Sequence, residues 1–200
     1  MRDFLFKARD GQTPLPPELR KGLILKNIQS MGELDEFEEM NIFKGLLWLG
    51  KQTQNPIDYQ FWLSLHKKLF GEVWSWAGMV REKDHELANP DFSPPHGIWP
   101  NFKKLQEDMD YWLENKTFSI KQLAVRLHER MLTIHPFPNG NGRFSRILTE
   151  YFCKHYEVAG PTWGSQYKAD PVDRRNRYIE AIEEARNKKN YDALERFIFS

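Results

Sequence analysis

The residues able to do chemistry crowd into one stretch, His135-Pro136-Phe137-Pro138-Asn139-Gly140-Asn141-Gly142-Arg143-Phe144-Ser145-Arg146. Pro136 and Pro138 end an incoming helix and hold an extended turn, because proline fixes φ and lacks an N–H. Gly140 and Gly142 permit backbone angles that other residues avoid, so successive N–H groups can converge on one point. A helix starting there adds its free N–H groups and its positive dipole end. Arg143 and Arg146, three apart, share a face of that helix's first turn and can fork onto phosphate oxygens. The combination reads as an anion cradle for a polyphosphate. His135 stands at its mouth, and an ordinary pKa of ~6.5 suits it to take a proton from a hydroxyl near neutral pH. A base beside a polyphosphate implies attack of a hydroxyl on phosphorus, with the cradle stabilising the developing charge. Phe137 would turn into the core and lock the loop.

The elements that must position this loop are helical. Ile120, Leu123, Ala124, Leu127, Met131 and Ile134 recur at the spacing of one buried helix face, behind a capping box of Ser119 and Gln122. Beyond the loop, Phe144, Ile147, Leu148, Tyr151 and Phe152 repeat that spacing. Upstream, Ser30 and Glu33 open a helix through Phe37, Met40, Phe43, Leu46 and Leu47 that Gly50 stops. Asn55-Pro56 starts another, closed by Gly71, and Pro100 suits the first turn of a third. Asp170-Pro171 opens a late helix, and a short one lies near Leu194 and Phe197. Strand signals are thin; Gly78 to Lys83 and Glu86 to Trp99 suit a hairpin or an extended flap. The expectation is an all-α domain over residues 30–200 behind an N-terminal arm, residues 1–29.

Two segments resemble a known family. The run 135–146 is similar to the Fic signature, His-x-Phe-x-(Asp/Glu)-Gly-Asn-Gly-Arg-x-x-Arg, at every fixed position except the acidic one, which is Asn139. Leu69-Phe70-Gly71-Glu72-Val73-Trp74-Ser75-Trp76-Ala77-Gly78-Met79-Val80-Arg81 resembles the family segment before its flap. With Trp163-Gly164, the pattern most resembles the bacterial branch called mobile mystery protein B. The resemblance implies a Fic-type helical bundle with a short β-hairpin flap, and transfer of AMP from ATP to a hydroxyl side chain of a target protein, usually with Mg²⁺. His135 would then be the general base and Phe137 the structural anchor. Gly140, Asn141 and Gly142 would form the anion hole, Arg143 would hold the β- and γ-phosphates, and Arg146 the γ-phosphate. The flap near residues 82–90 would dock the target, with modification of the chain itself among the expected products. Asn139 replaces the Mg²⁺-binding carboxylate by a neutral amide, a weaker ligand for a hard cation. Transfer of another phosphate-containing group, or a nucleotide- or partner-binding module without turnover, therefore stands as the alternative.

Many relatives place an inhibitory glutamate against the second motif arginine, which makes Glu38 and Glu39 candidates to restrain Arg146. The remaining histidines suggest less. His128 fits helix packing better than catalysis, and His66, His85, His96 and His155 show no metal-ligand spacing. Trp74 and Trp76 read as core, and Arg174-Arg175-Asn176-Arg177 as a solvated helix face. Composition bounds what is left. Two hundred residues, 40% hydrophobic and 14% aromatic, are enough to bury one core. Twenty-nine basic residues against 28 acidic leave no field to recruit nucleic acid or an anionic membrane. One cysteine, Cys153, excludes an intramolecular disulfide and multi-cysteine zinc patterns. No apolar run approaches the ~20 residues of a membrane span, and no signal-peptide core is present. A cytoplasmic chain is the expectation; oligomeric state is not legible.

Overall fold

Capping side chains set the helix starts. In α1 (Met31–Leu49) the Ser30 hydroxyl accepts from Glu33 N–H at 3.2 Å, and Gly50 N–H closes the far end on the Leu46 carbonyl. The computed structural model describes residues 20–28, 30–84, 91–167 and 169–200. Asp58, three residues later than the expected Asn55 start, caps α2 (Tyr59–Phe70) by accepting from Gln60 N–H. The Ser119–Gln122 box forms in full at the head of α4 (Ile120–Ile134). Asp170 accepts from Val172 and Asp173 N–H to start α6 (Pro171–Lys188). Between them lie α3 (Pro95–Glu114) and α5 (Asn141–His155), and α7 (Asp192–Phe199) follows α6.

The helices pack as neighbours: α1 on α2, α4 on α5, α6 on α7, with α4 also touching α3, α6 and α7. The main core takes Trp62, Leu65, Phe102, Leu127, Met131, Phe144 and Leu148, all with essentially no exposed surface. A smaller core joins Val125 of α4 to Ala185 of α6 and to Leu194 and Ile198 of α7. No helix among the described residues is long and apolar enough to cross a membrane.

Two local expectations are corrected. In α1 the buried face is Leu34, Glu38, Asn41, Gly45 and Leu49, whereas Phe37, Met40, Phe43 and Leu47 are exposed. The reason is close approach to α2. A Cβ on Gly45 would stand 2.9 Å from the Lys68 carbonyl, and Asn41 bonds both that carbonyl and Glu72 N–H. Such proximity selects a small residue and a polar one over the apolar stripe. Second, α3 starts at Pro95 rather than Pro100, which lies inside the helix. Proline in the first turn forfeits no bond, and Pro100 forfeits one. The described parts of residues 78–99 contain no strand, and Pro94 and Pro95 lead the chain into α3. Residues 85–90 of that flap, and residues 1–19 and 29 of the arm, lie outside the described residues. In the arm, Ile24 N–H donates to the Val73 carbonyl and the Gly22 carbonyl accepts from Ser75 N–H, on either side of an antiparallel bridge from Leu23 to Trp74.

Candidate functional site

The loop from α4 to α5 is built by its own side chains. α4 ends at His135, whose backbone is left-handed (φ 48°, ψ 58°), which turns the chain sharply out of the helix. Phe137 is fully buried, its ring stacked on His66 at 3.6 Å and edge-on to Phe144 at 5.0 Å. The Asn141 amide makes two bonds to Phe137, accepting from its N–H at 2.9 Å and donating to its carbonyl at 2.8 Å. Asn141 therefore staples the loop with its side chain, and only its backbone can serve an anion. Gly140 has φ 79°, and a Cβ there would meet the Phe70 ring at 2.9 Å. Nothing lies within 4 Å of the Cβ position at Gly142. A bare backbone with open space beside it thus marks the start of α5, which carries no capping side chain. Its first N–H groups and its dipole face that space.

His66 holds this loop from behind. Gly78 N–H donates to its Nδ1 at 2.9 Å, so Nε2 carries the proton and donates to the Asn139 carbonyl at 3.1 Å. Burial, with some help from the Arg143 charge, pushes its pKa down to about 3, so the ring stays neutral. The sequence offered no sign of this role, since a buried imidazole bridging two backbones has no motif.

Arg81 is the second residue that sequence reasoning passed over, although it ends the second quoted segment. Only 6% exposed, it donates from Nε to the His135 carbonyl at 2.7 Å, from Nη1 to the Lys83 carbonyl at 3.1 Å, and from Nη2 to the Ser93 carbonyl. One guanidinium therefore ties both described ends of the flap to the histidine. Phe92, at the flap's exit, stacks on the His135 ring at 3.8 Å and 15°. Arg186 of α6 pins the same exit through Asp91 at 3.0 Å.

The two motif arginines part company. Arg143 pairs with Glu38 of α1 at 2.5 Å, and the other carboxylate oxygen accepts from Trp74 Nε1 at 2.6 Å. Arg146 lies over the ring of Tyr178 on α6, 5.2 Å from the centroid. The glutamate contact expected on Arg146 thus falls on Arg143, and Glu39 is exposed. The buried face of α1 explains it: Glu38 shares that face with Asn41 and Leu34, and Glu39 does not.

The Asn139 amide oxygen accepts from Gly140 N–H at 2.6 Å, so the loop takes one of its two lone pairs. No three His, Cys, Asp or Glu side chains gather as a metal site among the described residues.

Comparison with known proteins accords with this geometry. Residues 56–153 match the Fic/DOC family. A Sinorhizobium fredii protein named "Probable protein adenylyltransferase y4lH" is 29% identical over 138 residues, covering 62% of this chain and 68% of that one. An Aquifex aeolicus protein named "Probable protein adenylyltransferase aq_aa38" is 31% identical over 117 residues, 55% of this chain. The chain spans 33% of the length of that relative. Among solved structures, the N-terminal FIC domain of a VirB-translocated effector of Bartonella sp. 1-1C superposes with a TM-score of 0.67 at 18% identity, over 86% of this chain and 85% of that one. The BepC protein of Bartonella tribocorum, solved with bound AMPPNP, gives 0.62 at 20% identity, over 85% and 86%. At such identities the likeness is one of fold. With the signature loop at the head of α5 inside the matched stretch, residues 56–153 carry a Fic/DOC-family domain.

Proposed function

We propose that this chain transfers AMP from ATP to a hydroxyl side chain of a target protein, itself included. The observation that carries the reading is the open backbone at Gly142, at the uncapped start of α5, with His135 before it and Arg143 on its first turn. Nucleotide-bound neighbours and relatives named adenylyltransferases support it. In the reaction His135 takes the proton of the attacking hydroxyl. The hydroxyl oxygen bonds to the α-phosphorus as the bond to the bridging oxygen breaks, and pyrophosphate leaves. The α5 N-terminus, Arg143 and Arg146 meet the growing negative charge. Arg143 exchanges the Glu38 carboxylate for phosphate oxygens before it can act, so the structure shown is a restrained state in this reading. The α-phosphate end of the cradle is lined by Gly140, Asn141 and Gly142, and the target reaches His135 past Phe92.

A second reading, transfer of another phosphate-containing group or nucleotide binding without turnover, draws on Asn139, whose amide supplies no charge for a metal. Incubation of the chain with α-labelled or γ-labelled ATP and a cell lysate separates the readings. Label from the α position is expected. His135→Ala should abolish it, a loss of about 10²–10⁴ in rate, with ATP affinity retained. Label from the γ position establishes phosphorylation instead, and no label from either position establishes the binding module.

A further inference from the structure

Phe92 is held on both sides by bonds that lead back to the helix turn carrying His135. On one side, Ser93 N–H donates to the Thr133 carbonyl at 3.1 Å, in the last turn of α4. The Ser93 carbonyl accepts from Arg81 Nη2, and the Nε of that guanidinium donates to the His135 carbonyl. Asn101 of α3 donates to the Ser93 hydroxyl at 2.8 Å. On the other side, Arg186 donates to the Asp91 carboxylate from Nη1 and to the Thr133 hydroxyl from Nε, both at 3.0 Å. The Thr133 hydroxyl donates in turn to Glu129, a buried carboxylate that also accepts from the Tyr191 hydroxyl. Arg186 belongs to α6, beyond the matched residues 56–153.

Pinned in this way, the Phe92 ring lies against the His135 imidazole, with centroids 3.8 Å apart and an angle of 15° between planes. The last torsion of a histidine side chain is soft, with broad and roughly two-fold preferences. A general base has to bring one nitrogen within hydrogen-bond reach of the hydroxyl, so that torsion must be settled before reaction. A ring stacked at van der Waals distance settles it, because turning the imidazole would drive its edge into the neighbouring face. It does so without occupying a ring nitrogen, whose lone pair or N–H lies in the imidazole plane. We infer that Phe92 is a positioning residue, whose ring holds the His135 imidazole in the plane from which it takes the proton of the attacking hydroxyl. This rests on the reading of His135 as the base. It gives the flap's exit a part in the reaction separate from docking the target, and it brings α6 into the site through Asp91.

Self-labelling of the full chain, with α-labelled ATP titrated to saturation, tests it in Phe92→Leu, Phe92→Tyr and Asp91→Ala. Phe92→Leu keeps an apolar side chain without a ring plane, and its maximal rate should fall about ten- to hundredfold, as misaligned reacting groups do. The ATP concentration for half-maximal rate should stay parental. Phe92→Tyr restores the ring and should recover most of the rate. Asp91→Ala, at an exposed carboxylate, removes the Arg186 anchor and reads the same arrangement if Phe92→Leu fails to fold. It should lose part of the rate and add nothing to Phe92→Leu. A parental rate in Phe92→Leu overturns the inference in favour of packing, and a faster one makes Phe92 a cover over the base. A loss that Phe92→Tyr shares, or one confined to half-saturation by ATP, overturns it too. The proton NMR spectrum tests the geometry without turnover, the His135 ring signals being those missing from His135→Ala. Ring current from Phe92 should move them upfield in the parent and not in Phe92→Leu. Absence of that shift overturns the inference even where His135→Ala is inert and the base reading stands. If His135→Ala labels at the parental rate, the base reading fails and the inference falls with it, whatever the spectrum shows.

Discussion

Glu38 is the residue on which the resting state of the site turns. Its carboxylate is nearly buried, accepts from the Trp74 indole, and holds Arg143, whose side chain is 39% exposed. Charge-assisted bonds are worth ~1.5–3 kcal/mol, and solvent at the arginine reduces that. In the proposed reaction phosphate displaces this carboxylate, so Glu38→Gln, which keeps an acceptor for Trp74 and drops the charge, should tighten ATP binding about tenfold. Self-labelling should rise with it. A folded variant with parental affinity for ATP would show that the pair does not compete with nucleotide. At this scale the sequence displayed the candidates and hid their partners. His135, Phe137 and the glycines declared themselves because each type has one physical use at that spacing. Glu38 was visible only as one of two adjacent acids. Its choice of Arg143 over Arg146 followed from which face of α1 is buried, and Gly45 and Asn41 decide that through contacts remote in sequence.

The helices themselves were legible because capping is local. Ser30, Ser119 and Asp170 each bond an N–H two or three residues on, so short windows contain the whole cause. The described ends of the flap follow another logic. Lys83, Ser93 and His135 converge on Arg81 from separate parts of the chain, and no periodicity reports it. Their dependence on one guanidinium gives a prediction for the element. Arg81→Lys retains the charge but not the planar fork, leaving at least one buried carbonyl unpaired, at about 1–3 kcal/mol each. The urea midpoint should fall accordingly, and backbone amides at 91–93 should exchange with solvent much faster than in the parent. Unchanged exchange there would mean that Arg186 and Phe92 suffice to hold the flap's exit.

Two buried neutral imidazoles tie the whole molecule to pH. His66 and His128 are held at pKa values of about 3, against an ordinary 6.5, chiefly by burial. As pH falls below 6.5 the unfolded chain takes up protons that the folded chain refuses, so stability is lost from there down to about 3. At pH 5 the two together should remove about 3–4 kcal/mol relative to pH 7. Urea titrations at pH 7, 6 and 5 check this, and a midpoint flat across that range would contradict it. Replacing either histidine by glutamine should flatten the profile by about half. The third histidine of the site leads elsewhere. His135 occupies a left-handed backbone that an L-residue enters at about 1 kcal/mol, and the fold alone would be better served there by glycine. With His135 as the proposed base, the demands of architecture and of reactivity therefore oppose each other at position 135. A population of sequences sorted only for thermal endurance would drift away from the histidine and arrive at a sturdier, inert protein.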